Sequence, residues 1–182
     1  MLKLAIGSVV AAIAMFFWGF VYWGSGVVDP FAHMSTEAQD AITQTFTANL
    51  TADGVYFVPE SQGVPEEQWA QRMAAGPITM FNYKSSGATP MTTTMGLGFV
   101  HMLVTALLIG ALLRYVATAD TYLERFKLVV FVGFVAAVFA HLGQPIWWHY
   151  PWAYSVLGAI YDFGAYVIAG AILAYFVAPA KA

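Results

Sequence analysis

Four stretches of this chain are apolar over about 20 residues or more, the length a helix needs to cross a bilayer. They run over residues 4–27, 95–116, 126–147 and 152–176. Between the first and the second, the pattern turns polar and its periods shorten. Ala38, Ile42, Phe46 and Leu50 recur at helical spacing. They predict an amphipathic helix over residues 36–49, with Thr36 and Gln39 as its capping box. Gly54 to Val58 reads as a short strand, closed by Pro59. Pro65 opens a second helix, whose positive end Glu66 and Glu67 favour, and Gly76-Pro77 stops it. Residues 78–83 read as another strand. Two strands of this size need cover to be stable, and the neighbouring helices and membrane-proximal aromatics are the expected cover.

The fold class predicted is an all-α membrane protein. It is a four-helix transmembrane bundle with a small extracytoplasmic α/β cap between helices one and two. Residues 1–28 carry helix one, 29–94 the cap, and 95–182 helices two to four. The short link 117–125 predicts that helices two and three pack as an antiparallel hairpin. The shorter turn 146–151 predicts that helix four lies beside helix three.

Composition agrees with a membrane chain: 60% of the residues are hydrophobic and 9% charged, against roughly 25% charged in soluble domains. The formal net charge of −3 gives no reason to expect a nucleic-acid partner. There is no cysteine, which excludes disulfides, thiolate zinc sites, Cys-ligated iron–sulfur clusters and Cys nucleophiles. Helix one has a basic start at Lys3 and an Ala12-x-Ala14 pattern. Cleavage there would leave apolar Met15–Tyr22 as a new N-terminus, so the segment reads as an uncleaved anchor.

Orientation follows from the basic residues. Lys3, Arg114, Arg125, Lys127 and Lys181 fall on one side of the four spans. Arg72 and Lys84 fall on the other, among Asp29, Glu37, Asp40, Asp53, Glu60, Glu66 and Glu67. Both termini are then cytoplasmic and residues 29–94 lie outside, which means the periplasm if the host is a Gram-negative bacterium.

Membrane helices associate through small residues and buried polar groups. Helix two carries Thr94, Gly98, His101 and Thr105 on one face, helix three Gly133, Ala137, His141 and Gln144, and helix four Ser155, Gly158, Asp162, Ala165 and Ala169. Helix one offers Gly7, Ala11 and Ala14. These faces are expected to meet in the interior. By depth, His101 and Asp162 are expected within reach of each other, with His141 one turn nearer the outside.

Asp162 is the most telling residue. A carboxylate at that depth costs roughly 2.5–3.5 kcal/mol on insertion scales unless it is paired, protonated or wetted. It is a candidate proton carrier, polar-ligand anchor or orienter of a ligating histidine. The competing reading is a structural pair that fixes helix register. All four histidines map to the outer side. His101 and His141 are the candidate metal ligands, with copper or haem b as the cofactor, and Gln144 joins them in a buried polar site. No His-x-x-x-His, Met-x-x-Met or Glu-x-x-His spacing supports a tight metal site. The aromatic turn with Trp147, Trp148 and His149 reads as an interfacial anchor. Its alternative is a lipid or quinone contact with His33 at the entry. No Gly-x-Ser-x-Gly elbow and no phosphate loop is present.

The run Gly54 to Pro59, then Gly76-Pro77-Ile78, the turn from Trp147 to Pro151, and Asp162 followed by Ala169-Gly170 resemble a set of uncharacterised small bacterial inner-membrane proteins. The resemblance implies the same four-helix layout and a bacterial inner membrane. It carries no activity. The small chain lacks a catalytic constellation, and the role expected is non-enzymatic: an accessory or assembly subunit of an inner-membrane complex, with the cap as contact surface. Its partners are then membrane lipids and other membrane-protein subunits. One alternative is a metal- or haem-binding redox or ligand protein using His101, His141 and Asp162. The other is a lipid- or quinone-handling protein at the outer leaflet.

Overall fold

The computed structural model describes residues 2–116 and 118–178. Lys181, counted above among the basic residues of one side, lies outside them. The chain divides into two units, one of residues 1–30, 90–146 and 150–182, the other of residues 31–89 and 147–149.

The first unit holds α1 (Leu2–Gly24), α4 (Met91–Tyr115), α5 (Tyr122–His141), the short α6 (Gln144–Trp147) and α7 (Trp152–Phe176). Four helices in it are long and apolar enough to cross a membrane, α5 and α6 counting as one span. Helix two starts four residues earlier than its apolar run. Helix three starts at Tyr122, because Thr121 and Glu124 form a reciprocal capping box.

α7 packs against α5 on one side and α1 on the other, and α1 packs against α4. The turn 146–151 does set α7 beside α5. The expected hairpin of helices two and three does not form, because α4 and α5 share no packed face. Arg125 shows why. This buried guanidinium donates Nε–H to the Ala174 carbonyl (3.0 Å) and Nη1–H to the carbonyls of Ala119 (3.3 Å) and Asp120. Ala174 lies in the last turn of α7, where carbonyls lack helical partners and a cation complements the dipole. The link therefore runs at the end of α7 and delivers α5 to that helix instead of to α4.

The α5–α7 seam is a ladder. Each step up α5 meets an equal step down α7. Arg125 bonds Ala174. Val129 fills the space over Gly170, Tyr166 the space over Gly133, and His141 the space over Gly158. Ser155 donates to Gln144 Oε1 at 3.4 Å. A Cβ at Gly133 would sit 2.2 Å from the Tyr166 Cβ, so the helices approach as closely as glycine alone permits. This is the small-residue packing that membrane helices use.

The α1–α7 contact adds donors. Trp18 Nε1–H donates to the Tyr161 carbonyl at 3.0 Å and the Tyr22 hydroxyl to the Leu157 carbonyl at 2.9 Å. The donors are one turn apart on α1 and the acceptors one turn apart on α7. Ala11, Ala12, Met15, Ala106, Leu113, Ala169 and Leu173 are buried at the common core of α1, α4 and α7. The face of α4 predicted to point inward therefore points elsewhere. Ala106, Ile109, Gly110 and Leu113 are its buried residues, while Thr94 and His101 are exposed. Gly110 sets this phase, since a Cβ there would meet Leu4 of α1 at 2.3 Å. On α1, Gly7 and Ala11 are buried as expected, and Ala14 is half-buried beside Met15.

The second unit holds α2 (Thr36–Asn49), β1 (Gly54–Val58), α3 (Glu66–Ala75) and β2 (Thr79–Tyr83). The strands pair antiparallel, from Gly54 opposite Tyr83 to Val58 opposite Thr79. α2 begins where the pattern placed it, but its cap is Ser35, whose hydroxyl accepts from the Ala38 amide. Ser35 has the extended backbone an N-cap needs, whereas Thr36 is already helical. Gln39 reaches the Met34 carbonyl instead of closing a box with Thr36. Phe46 of α2 stacks on Phe81 at 4.4 Å, and Trp69 of α3 donates to the Pro59 carbonyl at 3.1 Å.

Asp53 closes the sheet end by accepting from the Ser85 amide (2.8 Å) and hydroxyl (2.7 Å). Those bonds, the amide first, hold its carboxyl below the ordinary range. A depressed carboxylate stabilises the fold above its unfolded pKa, about 3.9, and loses that effect as pH falls through the folded value. Amide protection factors in β1 and β2, taken against the intrinsic exchange rate at each pH, are therefore expected to fall on acidification below about pH 4. In Asp53→Asn they should be lower at neutral pH and should lack that step.

Candidate functional site

Several polar residues of the bundle meet at the end of the α5–α7 seam next to the turn that joins the two helices. His141 is the last residue of α5. Its ring crosses α7 at Gly158, where a Cβ would stand 2.7 Å from Nδ1. One turn further along α7, Asp162 Oδ2 lies 2.7 Å from His141 Nε2. Gly158 is thus the opening through which the imidazole reaches the carboxylate. The next turn in the other direction carries the Ser155–Gln144 hydrogen bond. The His141 side chain is 19% exposed and that of Asp162 41%. The pair is closed on the seam and open on one flank.

Three of the four residues proposed for a buried polar site, His141, Gln144 and Asp162, come together here. His101 does not. It is exposed on α4, a helix that has no packed face with α5, and its backbone carbonyl accepts from the Thr105 hydroxyl at 3.0 Å. Among the described residues no three His, Asp or Glu side chains gather as a metal-binding group. Trp147, Trp148 and His149 are exposed and group with the cap unit, and His149 takes a left-handed backbone at φ 58°. His33 is exposed between α1 and α2.

Sequence reasoning missed three engaged groups. In the sequence Arg125 figures only among the basic residues that set orientation. Trp18 and Tyr22 stood unremarked in an apolar run, although their i, i+4 spacing put two donors on one face of α1. The Thr121-x-x-Glu124 signature was readable as a capping box.

Chemically, a carboxylate on an imidazole fixes the ring's tautomer and orientation, and the pair can hold a proton or a polar ligand group at its open flank. It also pins helix register. The Asp162→Leu variant leaves the imidazole unpaired. It is expected to cost about 1–2 kcal/mol, the range of hydrogen bonds between apolar helices, or a fall of about 2–8 °C in Tm for a chain of this size. Asp162→Asn retains an acceptor and should lose less than half of that. Thermal unfolding in mild detergent checks both.

These features define a helical protein with four apolar spans, a small α/β unit between the first two and a polar seam between the last two. The chain belongs to the DUF1761 family, whose model, described as a protein of unknown function, matches residues 41–174. That range holds His141, Gln144 and Asp162. No curated protein and no solved structure matches the chain.

Proposed function

We propose that this protein is an accessory or assembly subunit of a bacterial inner-membrane complex, with the cap as its contact surface. One observation carries the reading: the cap has almost no interior of its own. Among its described residues Pro59 alone is buried, while Ile42, Val55 and Val58 are exposed. A two-stranded sheet with as little cover as Phe46 of α2 gives this one is marginal in water, so a partner surface is its natural completion. In the same reading Leu97, Val100 and Leu108 of α4 and Phe131, Phe134 and Phe139 of α5 face lipid or neighbouring spans.

The basic residues support the orientation. Lys3 and Arg114 line one cleft with the end of α7, and Arg125 bonds that same end. The positive-inside rule makes this end cytoplasmic and the cap periplasmic. The chain has no cysteine, so single introduced cysteines report sidedness cleanly. Ser86→Cys in the cap is expected to react with a membrane-impermeant maleimide in cells with an opened outer membrane. Thr118→Cys should react only after the inner membrane is breached. The reverse pattern would overturn the orientation.

A second reading, a ligand-binding or redox protein, has the 2.7 Å His141–Asp162 pair in its favour. It predicts a ligand retained through purification and lost in His141→Ala.

A further inference from the structure

A second concave site lies on the other side of α7 from the polar seam. Outer turns of α1 and α4 splay around a cleft of about 330 Å³ lined by Phe16, Phe20, Trp23, Met95, Met102 and Tyr161. Its floor is glycine. Gly19 lies under the Tyr161 phenol, where a Cβ would come within 3.2 Å of the hydroxyl, and Gly98 lies against Phe16 at 3.4 Å. Trp18, bonded to the Tyr161 carbonyl, holds α1 and α7 together at this level.

Two properties of the cleft define what it takes. First, no charged side chain lines it, so a phosphate headgroup would enter without a counter-charge. Second, the Tyr161 hydroxyl has no hydrogen-bond partner among the described residues, and it is not fully buried. It is a donor presented to an apolar space. Four of the walls are flat rings already set edge-on or tilted to one another: Phe16 and Phe20 at 5.1 Å, Trp23 and Tyr161 at 5.4 Å. Such rings favour a planar guest, and thioethers such as those of Met95 and Met102 pack well at aromatic edges. The volume is at the small end of ligand pockets, suited to a single ring and the start of a tail.

We propose that this cleft binds the head of a lipid-soluble quinone, a neutral ring carbonyl accepting from Tyr161 Oη and an apolar tail leaving between α1 and α4. This moves the quinone contact away from the aromatic turn at Trp147 to His149. The inference rests on the membrane reading of the four helices and is independent of the accessory role. A partner-free monomer that binds quinone here would sink the latter and keep the former, and recovery in the soluble fraction would remove the membrane reading itself.

The test is photolabelling of the full chain, purified in mild detergent, with an azidoquinone carrying a decyl tail. Label is expected on peptides covering residues 16–24 and 95–102. An excess of decylubiquinone should displace it, and an equal excess of phosphatidylglycerol should not. Tyr161→Phe removes one hydrogen bond and should weaken decylubiquinone competition about tenfold. Gly98→Leu should fill the cleft and abolish the label. Both variants are compared with the parent by size-exclusion profile, and Tyr161→Phe alone decides the matter if Gly98→Leu fails to fold. Label spread along all apolar faces, displacement by phospholipid, or competition unchanged in Tyr161→Phe would overturn the proposal.

Discussion

Gly133→Ala is expected to destabilise the bundle by about 3 kcal/mol, although alanine gains about 1 kcal/mol over glycine in a helix. The new methyl would lie 2.2 Å from the Tyr166 Cβ and 2.4 Å from its Cγ. A Cβ is fixed to its backbone, so no rotamer change relieves the clash, and α5 must move off α7. The whole ladder then loosens, including the approach of His141 over Gly158 to Asp162. For a chain of this size about 3 kcal/mol corresponds to a Tm lower by about 6–12 °C. Gly96→Ala is the control. It sits inside α4 with nothing within 4 Å of the added methyl, and its Tm should hold or rise. Equal Tm values for the two variants would contradict the close packing of the seam.

Arg125→Leu is expected to lower stability by a similar amount, about 3 kcal/mol. The substitution leaves the Ala174, Ala119 and Asp120 carbonyls without their charged donor, and charge-assisted bonds are worth about 1.5–3 kcal/mol each before water repairs part of the loss. Lysine cannot reproduce the guanidinium fork, so Arg125→Lys should recover only part. The loss has a local signature that a general weakening would lack. Amide exchange should rise first at residues 118–121 and in the last turn of α7, ahead of the rest of the bundle.

Much of this fold was legible in the sequence because its periods are strong. The spans, α2, the strand pair and the Gly76-Pro77 stop all follow from spacing and breakers. The seam was legible for the same reason. Gly133, Ala137 and His141 on one helix and Gly158, Asp162 and Ala165 on the other mark faces where small and polar residues replace bulk. On α4 that logic met two competing faces. One carries Thr94, Gly98, His101 and Thr105, the other Ala106 and Gly110. Only the partner decides between them, and Leu4 of α1 docks on Gly110. The order of the helices was misread for a related reason. A short link makes two helices neighbours by default, but here the buried Arg125 ties the link to α7. A charge near a span end looks like an orientation signal, and nothing in one sequence says that it is buried. The free phenol of Tyr161 was invisible too, since a tyrosine in an apolar run declares neither its partner nor the lack of one.

The central claim, that the cap is completed by a partner, is tested most directly by native mass spectrometry of the full chain extracted in mild detergent from its own membrane. The account predicts a complex of defined stoichiometry that Val55→Asp, on the exposed face of β1, dissociates while the variant stays folded. A bare, monodisperse monomer for both the parent and the Val55→Asp chain would contradict it.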